Sequence, residues 1–116
     1  MEDKITKFED LIIWQRAEKI TIRIYQEFGK MKDYAFRDQI IRCVISIMNN
    51  IAEGYERWGN KEYSRFLYIA KGSCGELRSM LHLSFQLGYI TEPVYNKLTK
   101  ESIEISKMIF SLIRKL

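Results

Sequence analysis

The chain has 116 residues, 47% hydrophobic and 29% charged, with one proline and six glycines. That balance is globular rather than disordered, and so few turn-formers favour long helices over a many-turned β fold. The net charge of +4 suits a polyanionic partner, and no apolar run approaches the roughly 18 residues a membrane span requires.

Met1 to Glu9 reads as a polar lead-in with Phe8 as an anchor. It lacks the apolar core and small-residue cleavage site of a signal peptide, so the expected compartment is the cytoplasm. Asp10 is the expected N-cap of a first helix over about 10–28, which Gly29 closes. Its inward face is Ile13, Ala17, Ile20, Ile24 and Phe28, while Arg16, Lys19 and Arg23 form a basic stripe on another face.

Asp33 caps a second helix over about 34–55. From Ile40 to Ala52 nearly every residue is apolar, so burial is expected around most of the circumference. The exceptions, Arg42, Ser46, Asn49, Asn50 and Glu53, recur at spacings of three and four and share one stripe. Gly54 and Gly59 bracket a turn. Asn60 then caps a third helix over about 61–87, whose inward residues include Phe66, Leu67, Ala70, Cys74, Leu77 and Leu81 and whose stop is Gly88. Gly72 and Gly75 lie inside it, each costing about 1 kcal/mol relative to alanine, so a close backbone approach is expected there. Thr91 caps a last helix over about 92–115, with Pro93 in its first turn and Val94, Leu98, Ile105, Met108, Ile109 and Leu112 on its apolar face.

Four long helices with short connections predict a single all-α domain over 1–116, an antiparallel up-down-up-down four-helix bundle roughly 30 to 40 Å long. In a hairpin turning near Gly59, facing residues of helices two and three have numbers summing to about 118. Gln39 then faces Ser79, Arg42 faces Glu76, Ser46 lies near Gly72 and Ser73, and Glu53 faces Arg65. The expected result is a structural polar seam of Arg42, Ser46, Asn50, Glu53, Arg65, Ser73 and Glu76. Removing Glu76 from such a seam would strand a charge at about 3 to 5 kcal/mol.

No catalytic constellation, cofactor loop or metal site is expected. His82 is the sole histidine, no cysteine or histidine pair has zinc spacing, and Cys43 and Cys74 read as small buried hydrophobes. Arg78 and His82, separated by three residues, fall short of the arginine–histidine spacing of a helical RNase family, so an RNA-cleaving enzyme is only an alternative. Basic and aromatic residues do interleave from Tyr55 through Arg57, Trp58, Lys61, Tyr63 and Arg65 to Tyr68, a composition that serves nucleic acid and protein interfaces alike. Trp58, with Tyr55 and Tyr63, is the expected interface group.

Three segments carry a family resemblance: FEDLIIWQRA at Phe8 to Ala17, QIIRCVISIMNNIAEG at Gln39 to Gly54 and RFLYIAKGSCGEL at Arg65 to Leu77, with LGYI at Leu87 to Ile90 after them. Through them the chain resembles the four-helix-bundle proteins encoded in intervening sequences of bacterial large-subunit ribosomal RNA genes. That family includes the accessory variability proteins of diversity-generating retroelements. The resemblance implies a homopentamer with a basic outer surface and a central channel, no enzymatic activity, and, for retroelement members, association with a reverse transcriptase and nucleic acid. The expected function is therefore a non-enzymatic oligomeric scaffold binding RNA or DNA, a protein partner such as a reverse transcriptase, or both. Arg16, Lys19, Arg23, Arg57, Lys61 and Lys71 are its candidate phosphate contacts. A protein-interaction bundle with no nucleic-acid role is the other reading.

Overall fold

The computed structural model describes residues 4–116. Its order is a 3-10 turn, Phe8–Asp10, followed by α1 (Ile12–Phe28), α2 (Tyr34–Glu56), α3 (Asn60–Gln86) and α4 (Glu92–Lys115). The molecule measures 45 × 27 × 21 Å. Among the described residues no helix is long and apolar enough to cross a membrane.

Local chemistry accounts for most boundaries. Asp33 Oδ1 accepts the Phe36 N–H at 3.2 Å and Thr91 Oγ1 accepts the Val94 N–H at 3.4 Å, so both helices begin on side-chain caps. Helix α3 ends where Gly88 turns left-handed at φ 77, letting the N–H groups of Gly88 and Tyr89 reach the carbonyls of Phe85 and Ser84. Two expected caps move by a residue. Asp10 ends the 3-10 turn and Leu11 precedes α1 instead, because Phe8 packs edge-on against Trp14 at 5.2 Å and Gln15 Nε2 ties back to the Glu9 carbonyl at 2.9 Å. Asn60 is already helical, since Gly59 takes the cap position at φ 90, a conformation suited to glycine.

Side-chain contacts show that consecutive helices run antiparallel. Phe28 packs on Phe36 while Thr21 Oγ1 reaches the Val44 carbonyl. Ser46 meets Ser73 and Cys43 meets Glu76 across α2 and α3. Ser102 meets Cys74 and Tyr95 meets His82 across α3 and α4. Each helix thus neighbours the next, and α4 returns to α1. Ile20, Ile24, Ile40, Ile47, Leu77 and Ile109 are fully enclosed in the shared core, as the 3.6-residue periodicity requires. Ser102, also fully buried, is tolerated because its hydroxyl donates to the Cys74 carbonyl at 3.1 Å.

The polar seam exists only at its centre. Ser46 and Ser73 hydroxyls lie 2.8 Å apart, and Asn50 Nδ2 donates to the Ser46 carbonyl at 2.8 Å and to its hydroxyl at 3.0 Å. The charged pairs do not form. Arg42 and Glu76 are both exposed and make no ion pair with each other or with another described residue, and Cys43 Sγ, not Arg42, donates to Glu76 at 3.6 Å. Glu53 instead binds Arg57 at 2.8 Å, and Arg65 binds Glu62 at 3.0 Å, each within or beside its own helix. The physical reason is solvent: long charged chains at the rim satisfy themselves locally, whereas short hydroxyls between two backbones must satisfy each other. The close approach is displaced too. An added Cβ at Gly72 meets nothing within 4 Å, whereas at Gly54 it would lie 2.8 Å from Phe66 Cβ. The hairpin is tightest near its turn.

Candidate nucleic-acid interface

Ion pairing divides the expected phosphate contacts. Arg16 is held by Glu104 at 3.4 Å, Arg23 by Glu27 at 3.6 Å and Arg57 by Glu53 at 2.8 Å. Lys19 and Lys61 are exposed and make no ion pair with a described residue, but Lys19 stands between Arg16 and Arg23, and Lys61 between Glu62 and the Glu53–Arg57 pair. Neither the α1 stripe nor the α2–α3 turn is thus a concentrated positive surface. Lys71 is different: its ammonium sits 5.6 Å from the centre of the Phe110 ring, on the outer side of α3 where α4 packs.

Around Lys71 the structure assembles cations that the sequence reading does not count among the phosphate contacts. Arg78 follows Lys71 by seven residues on α3, and Lys100, Lys107 and Arg114 repeat at seven on α4. Seven residues are two helical turns, so successive cations in each row are about 10.5 Å apart on one face. Lys71 and Lys107 line one shallow groove with Ser106, Phe110 and Ser111, which places the two rows side by side. None of the five cations makes an ion pair with a described residue. Glu104, between Lys100 and Lys107 in sequence, is directed to α1 by Arg16. The face is therefore a band of uncompensated positive charge about 20 Å long. Its signal in the sequence was the sevenfold spacing, visible only once α3 and α4 are known to be neighbours.

The expected aromatic group also divides. Tyr55 and Tyr63 pack edge-on at 6.1 Å, and burial, with Tyr55 adding, pushes the Tyr63 hydroxyl up to about 12. They belong to the packing of the hairpin. Trp58 is 98% exposed on the turn. Nucleophiles are poorly placed elsewhere: burial first, with the Glu76 carboxylate adding, pushes the Cys43 thiol up to about 12, and burial does the same to Cys74. His82 Nδ1 lies 3.4 Å from the Tyr95 hydroxyl, and no hydrogen bond joins it to Arg78. Among the described residues no group of three His, Cys, Asp or Glu side chains could hold a metal ion.

The sequence model for the 23S rRNA-intervening sequence proteins matches residues 9–111. A crystal structure of a protein with unknown function, from the S23 ribosomal protein family of Bacteroides thetaiotaomicron, is similar over 88% of this chain and 98% of that one. It has 26% sequence identity and a TM-score of 0.82. No curated protein matches the chain.

Proposed function

The chain belongs to the 23S rRNA-intervening sequence protein family, and from that premise we propose that it is a non-enzymatic helical-bundle scaffold that binds nucleic acid through the outer face of α3 and α4. The observation carrying this reading is that Lys71, Arg78, Lys100, Lys107 and Arg114 share one face without a carboxylate partner among the described residues, while the basic residues of α1 are largely spent on ion pairs. Cations left unpaired gain most from phosphate, because they displace the polyanion's condensed counterions without first breaking a salt bridge.

Labelled structured RNA titrated with the protein at graded salt tests the proposal. Affinity falling steeply with salt supports it, and no binding at low ionic strength refutes it. The chain acts as a homo-oligomer in this reading, with a pentamer as the expected state. Light scattering giving a monomer would remove that part.

The exposed Trp58 favours a second contact, with a protein such as a reverse transcriptase. Trp58→Ala should leave the fold and RNA affinity intact while abolishing capture of that partner.

A further inference from the structure

The two cation rows carry more than charge. On α3 the outer stripe runs Tyr68, Lys71, Gly75, Arg78 at spacings of three and four, and on α4 it runs Lys100, Ile103, Lys107, Phe110, Arg114 in the same rhythm. Cations therefore alternate with rings, with Ile103 or with a glycine, which has no side chain. Tyr68 is 54% exposed and Phe110 41%, so both rings remain substantially in water. Lys71 already rests over Phe110, showing that this ring presents a face to a cation on the outer surface.

A duplex makes no use of such rings. Its bases are stacked inside, and a protein reading only its backbone needs cations alone. Unpaired bases have free faces, and stacking on aromatic side chains beside a positively charged track is how single strands are held without sequence preference. Resting on the reading of α3 and α4 as a nucleic-acid surface, we infer that this face takes single-stranded nucleic acid, with phosphates on the Lys and Arg rows and bases stacked on Tyr68 and Phe110. Gly75 contributes a notch between Lys71 and Arg78: an added Cβ there meets nothing closer than Arg78 Nη2 at 3.9 Å, so packing does not demand glycine.

The test compares a labelled single-stranded RNA with a duplex of the same length, by fluorescence anisotropy, on wild type and on Tyr68→Leu and Phe110→Leu. Leucine keeps apolar bulk and removes the ring face. The inference expects tighter binding of the single strand, a loss of roughly fivefold or more for it in each variant, and no change for the duplex. Equal wild-type affinity for both probes, with neither variant affecting the single strand, overturns the inference and leaves the cation face standing. Failure to bind either probe overturns both. Sedimentation of the same samples should show an unchanged oligomer. Dissociation in the leucine variants would assign the rings to subunit packing, and polyglutamate binding as tightly as RNA would assign the face to acidic protein. Either result overturns the proposal.

Discussion

Alanine at Gly54 and alanine at Gly72 should move stability in opposite directions, although both residues lie within helices. In a helix interior alanine is favoured over glycine by about 1 kcal/mol, because glycine loses more backbone freedom on folding. At Gly72 the new methyl enters open space on an exposed surface, so the full gain of about 1 kcal/mol is expected, with a melting temperature higher by roughly 4 °C. At Gly54 the methyl would lie 2.8 Å from Phe66 Cβ and 3.3 Å from the Tyr63 carbonyl oxygen. Both atoms are fixed to the backbone of α3, so relief requires separating α2 from α3 where the hairpin is tightest. Overpacking of this kind costs typically 1 to 3 kcal/mol, and contact with backbone-fixed atoms belongs near the upper end, leaving a net loss of roughly 2 kcal/mol after the propensity gain. Urea melts of both variants measure the difference, with unchanged m-values certifying comparable native states. A Gly54→Ala protein as stable as wild type, or a shift of the same sign in both variants, would refute the packing argument.

Glu76→Ala should alter stability by no more than about 0.5 kcal/mol in the same melts, since Glu76 is exposed, makes no ion pair with a described residue and accepts only a long contact from Cys43 Sγ at 3.6 Å. Asp33 is held below the usual carboxylate range first by the Tyr89 hydroxyl at 2.7 Å and then by the Phe36 N–H. Its stabilising effect should be complete above the unfolded value of about 3.9 and lost as pH falls through the lower folded value, and Asp33→Asn should flatten that part of the acid unfolding profile. Cys43 and Cys74, with thiols pushed up to about 12, should resist a thiol reagent at neutral pH in the native protein and react promptly in urea. Rapid native labelling of either would contradict their burial.

Periodicity made the bundle legible because burial of a helix face imposes a repeat that chain order alone displays. Ile13 through Phe28 and Leu67 through Leu81 are buried at the expected positions, and Asp33 and Thr91 cap as their chemistry dictates. The Ser46–Ser73 contact was also legible, since antiparallel register fixes which short side chains meet. Interhelical distance was not. Spacing says that Gly54, Gly72 and Gly75 lie on α2 and α3, but only the splay of the hairpin decides that Gly54 is the crowded one. Charge was misread for a related reason. Arg16 and Glu104 are 88 residues apart, and their pairing, together with that of Arg23 and Glu27, leaves only Lys19 of the α1 stripe without an ion pair among the described residues. Lys71 and Lys107 become one surface only when α4 lies against α3.

The salt dependence of RNA affinity tests the cation face most directly. Wild type should be compared with Arg78→Gln/Lys107→Gln on that face and with Lys19→Gln/Arg23→Gln on α1. Each phosphate contact removed should lower the magnitude of the log–log slope by roughly 0.7 to 0.9. The account predicts a slope reduced by about 1.4 to 1.8 for the first pair of substitutions and little changed for the second. A slope unaffected by Arg78→Gln/Lys107→Gln, or reduced equally by the α1 substitutions, would contradict it.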